Sequence, residues 1–224
     1  PTSNITSYLK KNIKPYERIF CLDEKIIPAN TNLPYGFSSF HGHDAMSIPS
    51  YIKTLKKIKR SFKLIFKNDS LFYESNARPL INKANIRYIL TKRKEPFLGF
   101  ERVYKHKDIT IWENLENRGL VSIRKNKNEL VSEKLSFDYI KNSIVVKMDN
   151  IRAEDGSEVY FSENYFSGWK AYSDNKEINV YEDYNFGKFV KIKNPVDELV
   201  LIYQPFWFYF GASISILTLL LMVI

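Results

Sequence analysis

The residues from Phe206 to Ile224 form a C-terminal run that contains no Lys, Arg, Asp, Glu or His. A helix of about 20 apolar residues is needed to cross roughly 30 Å of hydrocarbon at a rise of 1.5 Å per residue. The run opens on aromatic residues, which favour the headgroup level of a bilayer. The alternative is a buried helix of a soluble domain, but such helices usually keep polar positions at the helical period. We therefore predict a membrane helix over 206–224.

From its two ends, we expect this sequence to be part of a longer membrane protein. The chain opens on Pro1 rather than Met, and no Lys/Arg cluster follows the apolar run. No signal peptide precedes the polar part, so we expect further membrane helices upstream to deliver residues 1–205 to the extracytoplasmic face. The expected location is the cell membrane, with a multi-pass full-length protein and a truncated last helix.

Charge divides the chain into two parts. Residues 1–130 carry 25 basic and 12 acidic side chains, a net +13, whereas residues 131–205 carry 9 and 13, a net −4. The first part can face anionic polymer or lipid headgroups. Nucleic acid is the competing anionic partner, but there is no zinc-finger spacing, Arg-rich arm or RNP-type strand, so we expect no nucleic acid. Cys21 is the only cysteine, which excludes an intrachain disulfide.

A basic amphipathic helix is predicted in the first part of the chain. Its apolar side chains recur at helical spacing, at Ile48, Ile52, Leu55, Ile58, Phe62 and Ile65. Lysines occupy much of the remainder, and Pro49 fits the first turn. Such a helix can lie on an anionic membrane. It can also pack its apolar stripe on a sheet with the lysines in water, which is the interpretation we favour.

Short strands and helices alternate around this basic helix. A helical stretch is expected at 78–84, and strands are expected at 16–21, 86–91, 100–104 and 109–113, with 118–124 closing the unit. Alternation of this kind indicates a mixed α/β layer built on a small sheet.

From Leu135 onward the hydrophobic period changes to two. Candidate strands lie at 135–140, 143–152, 157–162, 169–173, 177–181, 187–193 and 198–204. Turn signals such as Asp174-Asn175 separate them, at the spacing of antiparallel sheets packed face to face. The predicted fold is α+β: a mixed α/β unit over 1–130, an antiparallel β-sandwich over 131–205, and a transmembrane helix over 206–224.

Several short segments of this sequence resemble a known family. In the second half they are Ser162 to Tyr172 (SENYFSGWKAY), the Tyr203-Gln204-Pro205 strand end, and Phe210-Gly211 at the start of the apolar run. Upstream they are Gly36 to Ser47 (GFSSFHGHDAMS), Ala84 to Leu90 (ANIRYIL) and Ile111 to Asn114 (IWEN). In this order they resemble the C-terminal part of YfhO-family bacterial membrane proteins. Departures include His43, where an aromatic Tyr is expected, and Asp174-Asn175 in place of an Asp-Gly turn.

The resemblance implies a multi-span glycosyltransferase of the GT-C type. Such an enzyme takes a sugar from a polyprenyl-phosphate carrier outside the cytoplasm and adds it to an anionic wall polymer such as lipoteichoic acid. Its catalytic acidic residue lies in an early loop, upstream of this sequence, so no catalytic residue is named here. The outer part would hold or orient the acceptor, with membrane lipid as a further partner. No cofactor and no metal are expected.

The sharpest candidate site is the cluster of His41, His43 and Asp44. Two histidines two positions apart on an extended segment point the same way and can share a metal, but a third ligand is missing. A sugar contact or a loop packed at the helix start are the other interpretations. Trp169 is the second candidate, as a stacking platform for sugar or, as we favour, a core tryptophan together with Tyr165 and Phe166. The predicted substrate contacts are His41, His43, Asp44 and Trp169.

Other chemistry has no support in the motifs. The sequence has no glycine-rich phosphate loop, no G-x-S-x-G, no H-E-x-x-H and no C-x-x-C. Two function classes remain, the outer domain of a membrane glycosyltransferase and a non-enzymatic membrane-anchored binding or assembly domain. Both predict the same topology, so whether the chain belongs to an enzyme stays open.

Overall fold

The computed structural model describes residues 4–42, 48–124, 132–148, 156–194 and 196–223. Its helices are α1 (Asn4–Asn12), α2 (Pro49–Ser61), α3 (Arg78–Lys83) and α4 (Phe206–Val223). The strands of the first part are β1 (Arg18–Cys21), β2 (Ser38–Ser39), β3 (Phe62–Lys67), β4 (Ser70–Ser75), β5 (Ile86–Thr91), β6 (Glu101–His106) and β7 (Ile109–Glu113). Those of the second part are β8 (Val121–Arg124), β9 (Ser132–Lys134), β10 (Phe137–Ile140), β11 (Ser143–Lys147), β12 (Ser157–Phe161), β13 (Trp169–Ser173), β14 (Lys176–Ile178), β15 (Val180–Glu182), β16 (Lys188–Ile192) and β17 (Glu198–Tyr203).

The first part is a mixed sheet between two helical layers. The strand order is β2-β1-β5-β7-β6, with β1 parallel to β2 and β5, and the remaining pairs antiparallel. Alternate side chains of a strand point to opposite faces. Ile19 therefore packs in one cluster with Ile5 and Leu9 of α1, while Phe20 packs in the other with Ile58 of α2 and Ile81 of α3. The predicted α/β layer is confirmed.

Helix α2 begins as predicted but ends earlier than its apolar spacing suggests. Pro49 occupies the first turn, and Ile58 is fully buried while the lysines of the helix are exposed. The interpretation with a packed apolar stripe is therefore the one the structure supports. Phe62 and Ile65, which extend the helical spacing in the sequence, instead lie in β3, which forms a hairpin with β4. The sequence prediction was wrong there, because Phe62, Leu64 and Phe66 also alternate at the strand period.

The second part is a pair of antiparallel sheets packed face to face. One has the order β10-β11-β17-β13-β14 and the other β15-β16-β12-β8-β9. Inward side chains from both form one core, such as Ile144 and Leu201 from the first sheet and Val159, Phe161 and Val190 from the second. This confirms the predicted sandwich, and seven of its strands begin within two residues of the predicted starts. Strand β8, on the N-terminal side of the predicted boundary at residue 130, pairs with β12.

Contacts at several points join the two parts. Phe186, in the loop before β16, is buried in the core of the first part, where its ring lies 5.0 Å from that of Phe40. Arg18 of β1 donates a hydrogen bond of 2.9 Å to the Ser162 hydroxyl, which follows β12. Lys83 of α3 forms a mostly buried ion pair with Asp183. Each contact joins the first part to a loop of the sandwich.

Helix α4 follows β17 directly and carries exposed apolar side chains along its length. Its hydroxyl groups are satisfied within the helix: Ser213, Ser215 and Thr218 each donate to the carbonyl four residues earlier, at 2.9, 3.0 and 2.9 Å. The sequence predicts a membrane-crossing helix over 206–224. Within the ranges described above, none of the helices reaches both the length and the hydropathy that a membrane crossing requires.

Candidate functional site

A cleft of about 640 Å³ lies where the two parts meet. The first part contributes residues from β1, β2, α2 and the adjoining loops: Arg18, Asn30, Leu33, Ser39, Phe40, Gly42, Ile48 and Tyr51. The sandwich contributes residues from the β12–β13 loop, β13 and the loop before β16: Glu163, Asn164, Phe166, Trp169 and Phe186. Cavities at an interface between packed units are common binding sites, and this size suits a small ligand or one segment of a polymer.

Tyr51 of α2 fixes the wall of the cleft that comes from the first part. Its hydroxyl donates to the Phe40 carbonyl at 2.7 Å and accepts from the Gly42 N–H at 3.0 Å. The ring also meets that of Phe40 edge-on, with centroids 5.4 Å apart. Burial raises the pKa of the Tyr51 hydroxyl, so the group stays neutral and keeps both hydrogen bonds.

Glu163 lines the cleft and is surrounded by side chains of other elements, among them Lys188 and Tyr139, which do not line it. The Lys188 ammonium is fully buried and lies 3.0 Å from the Glu163 carboxylate and 3.8 Å from the centre of the Trp169 ring. Burial lowers the pKa of Lys188 to about 8, against the opposing attraction of Glu163. On the other side, burial and then the charge and hydrogen bond of Glu163 raise the pKa of Tyr139 to about 12. Glu163 is therefore held between a cation and a neutral hydroxyl.

Arg18 places a second cation near Glu163. Its guanidinium donates to the Ala84 carbonyl and to the Ser162 hydroxyl, both at 2.9 Å, and lies 5.9 Å from the Phe186 ring centre. Burial lowers its pKa, and the nearby Glu163 charge acts in the opposite direction. Arg18 lines the cleft whereas Lys188 is fully buried, so two cations lie near one carboxylate but only Arg18 faces the cleft.

The rim of the cleft on the sandwich side is tied to the start of α4. Trp169 is paired with Tyr203 across β13 and β17, with ring centres 5.2 Å apart, and Phe166 meets Tyr203 at 6.3 Å. The Gln204 N–H donates to the Gly168 carbonyl at 2.7 Å. The cleft therefore lies at the end of the sandwich from which α4 departs.

Of the predicted site residues, the structure places Trp169 at the cleft and buries His41 in the fold. Trp169 lines the cleft and also packs on the sandwich core, and its indole nitrogen is buried without a hydrogen-bond partner among the residues described. Phe166, which the sequence interpretation assigned to the core, is instead 47% exposed at the rim. That assignment was wrong because the residue lies in the β12–β13 loop rather than at an inward strand position. His43 and Asp44 lie outside the described residues.

His41 is buried, and both of its ring nitrogens are used within the fold. Nε2 lies 2.7 Å from the Ile27 carbonyl, which can only accept, so Nε2 donates. In the neutral ring Nδ1 then accepts from the Ser39 hydroxyl at 2.6 Å. These bonds attach the β2 segment to the 27–33 loop. His41 thereby supports the cleft wall formed by its neighbours Phe40 and Gly42.

Sequence reasoning missed Arg18, Tyr51, Glu163, Asn164 and Lys188. One signal was present, since Lys188 shares the inward register of β16 with Val190 and Ile192. A lysine at an inward strand position needs an acidic partner, because burial of an unpaired charge is costly. That partner, Glu163, lies on a separate loop, and its proximity comes only from the tertiary fold.

The lining combines aromatic faces with carboxylate, amide, hydroxyl and guanidinium groups, which is a chemistry suited to a polyhydroxylated ligand. Among the residues described, no group of three His, Cys, Asp or Glu side chains is placed to hold a metal ion. In comparisons with known proteins, no family model, no curated protein and no solved structure matched this chain.

Proposed function

We propose that this chain is the extracytoplasmic C-terminal part of a multi-span membrane glycosyltransferase that adds sugar from a polyprenyl-phosphate carrier to an anionic wall polymer. In this proposal the cleft between the two parts holds the acceptor polymer, and α4 contacts the membrane. The YfhO-like segments motivate the enzyme class. The observation that carries the proposal is the position of the mixed aromatic and polar cleft at the base of α4.

That position fits the demands of the reaction. A lipid-linked donor is confined to the membrane surface, so an acceptor must be held close to that surface for transfer. Phe166 and Trp169 pack on Tyr203, three residues before α4 begins. A polymer segment in the cleft is therefore close to the aromatic first turn of α4, where Trp207 is 74% exposed. Holding two reactants together in this way can supply a large part of a rate enhancement.

The lining also fits a polymer of phosphates and sugars. Phe166 offers an exposed ring for an apolar sugar face, and Asn164 and Ser39 offer hydrogen bonds to hydroxyl groups. Arg18 and the net +13 charge of residues 1–130 attract phosphate groups. The Glu163 charge is offset by its ion pair with Lys188, so it does not repel a polyanion at full strength.

The proposal predicts that truncating the rim weakens polymer binding. We expect Phe166→Ala and Asn164→Ala each to weaken binding of delipidated glycerol-phosphate polymer about tenfold, which corresponds to about 1.4 kcal/mol. Isothermal titration calorimetry on the chain in nanodiscs measures this effect. Tyr184→Ala is the matched control, because it removes an exposed ring that does not line the cleft. Unchanged binding in both rim variants would rule out the cleft as the polymer site.

A transfer assay separates the enzyme from a non-enzymatic binding domain. In the full-length protein supplied with a polyprenyl-phosphate sugar, we expect Phe166→Ala to raise KM for the polymer more than it lowers kcat, because the ring contributes binding rather than chemistry. Polymer binding without sugar transfer in the unmutated protein would instead support a membrane-anchored binding domain.

A further inference from the structure

The hairpin of β3 and β4 exposes apolar side chains beside the most basic segment of the chain. Helix α2, which precedes it, uses its apolar stripe in the core and leaves its lysines in solvent. That helix therefore has no apolar face left for a membrane. The hairpin does offer an apolar face, since Leu64, Phe66 and Leu71 are 47%, 70% and 46% exposed.

The register of the hairpin gathers these three side chains on one face. Phe66 pairs with Leu71 directly across the strands, and Leu64 lies two residues before Phe66, on the same side of β3. Asn68 and Asp69, both with positive φ, form the tight turn between β3 and β4. At the opposite end, Tyr73 is fixed by hydrogen bonds to the main chain of Pro96 and Leu98, at 2.7 and 2.9 Å. The apolar group thus lies toward the turn, beyond the anchored end.

The surrounding charge is strongly positive. Between residues 48 and 75 the acidic side chains are Asp69 and Glu74, against the exposed cations Lys53, Lys56, Lys57, Lys59, Arg60, Lys63 and Lys67. Basic residues next to exposed apolar ones are the combination that binds anionic bilayers, because the cations attract headgroups while the apolar side chains enter the acyl boundary.

We infer that the turn end of the β3–β4 hairpin inserts Leu64, Phe66 and Leu71 into the surface of an anionic lipid membrane. This contact is separate from α4 and from the polymer cleft. A second copy of the chain is a poorer occupant, because Lys63 and Lys67 lie on β3, where lysines oppose edge-to-edge pairing, and the same positive segment would meet itself. The inferred ligand is the lipid headgroup and acyl boundary, rather than a protein strand.

The test uses an environment-sensitive fluorophore on the full chain. Phe66→Cys is labelled with NBD and reconstituted in nanodiscs of phosphatidylcholine, with or without 30 mol% phosphatidylglycerol, roughly the fraction at which anionic lipid attraction is well developed. Cys21 is buried, so the label goes to the introduced thiol. We expect a blue shift and a severalfold intensity gain only with the anionic lipid, reduced by added salt.

Glu74→Cys is the matched label site, because Glu74 is exposed on the opposite face of the same hairpin. We expect little change there. No shift at position 66, or equal shifts at both positions, would overturn the inference. A shift that appears without lipid and grows with protein concentration would also overturn it, in favour of self-association. Every sample contains α4, and neither label site lies in the cleft. The outcome of this test therefore does not affect the interpretation of the polymer-binding test.

Discussion

At the scale of single residues, Lys188 is the side chain whose environment is most unlike that of its type. It is fully buried, although lysine is rarely buried without a partner. Its ammonium is stabilised by the Glu163 carboxylate and by the face of the Trp169 ring. Burial nevertheless lowers its pKa to about 8, against an ordinary value of 10.5.

This lowered pKa predicts a pH dependence of stability. Between pH 8 and 10.5 the unfolded chain binds more protons at Lys188 than the folded chain, so this residue's contribution to the free energy of unfolding rises with pH. We expect the native protein to gain on the order of 1 kcal/mol per pH unit above 8 relative to Lys188→Met. Urea unfolding of both proteins at pH 7.5 and 9.5 measures the difference. Parallel pH profiles would contradict the prediction, and Lys188→Gln provides a second comparison if the Met variant folds poorly.

At the scale of elements, Gly168 sets the geometry between β13 and the start of α4. Its φ is +119°, which disfavours any residue with a Cβ atom. A Cβ there would lie 2.9 Å from the Pro205 Cα and 3.1 Å from the Pro205 nitrogen, both backbone atoms that cannot move aside easily. The close approach lets the Gly168 carbonyl accept from Gln204, and so fixes the cleft rim to α4.

Gly168→Ala should therefore destabilise the protein by more than the strain of the positive φ alone, because the added methyl group also meets the Pro205 backbone. We expect a loss of about 3 kcal/mol in the free energy of unfolding, together with weaker polymer binding as the rim shifts. Gly156→Ala is the matched control, because Gly156 also has a positive φ of +89° but, among the residues that the structure describes, no atom lies within 4 Å of the added Cβ. Gly156→Ala should lower the free energy of unfolding by only about 1 kcal/mol. Chemical denaturation measures both, and equal losses would show that the Pro205 contact is not restrictive.

At the scale of the whole molecule, Phe186 joins the two parts. It belongs to a loop of the sandwich but is buried in the core between the first sheet and α2. Thr54 of α2 bonds to the carbonyl of the preceding residue, Asn185, and Lys83 pairs with Asp183 of the same loop. The loop from Asp183 to Phe186 is thus attached to the first part by contacts of three of its residues, and Phe186 contributes to one wall of the cleft.

Removal of the Phe186 ring should destabilise both parts of the protein together. We expect Phe186→Ala to lower the free energy of unfolding by about 3 kcal/mol, with one cooperative transition in the native protein. Tyr184→Ala, two residues away and 88% exposed in the native chain, should change it by less than about 0.5 kcal/mol. Far-ultraviolet circular dichroism and tryptophan fluorescence, followed during urea unfolding, should give coincident curves. Separate transitions would mean that the parts fold independently.

The local sequence specifies the helices and strands wherever one hydrophobic period is unambiguous. The period of two from Leu135 onward predicts the sandwich strands, and the β-branched run Ile86 to Thr91 predicts β5, because side-chain alternation is a local property of the backbone. Where two periods coexist, as around Phe62, local pattern could not separate a helix end from a strand start. The β3–β4 hairpin was missed for that reason.

The cleft, in contrast, depends on contacts between residues that are distant in the chain. Arg18, Glu163 and Lys188 are far apart in sequence, and no local pattern specifies that two strands and a loop meet around the Glu163 carboxylate. The two conspicuous histidine and tryptophan candidates were visible because their types are rare and chemically distinctive. Yet the His41 ring serves the fold through two internal hydrogen bonds, while Trp169 both packs on the core and lines the cleft. Burial and partners, which set what a side chain can do, depend on residues distant in the chain.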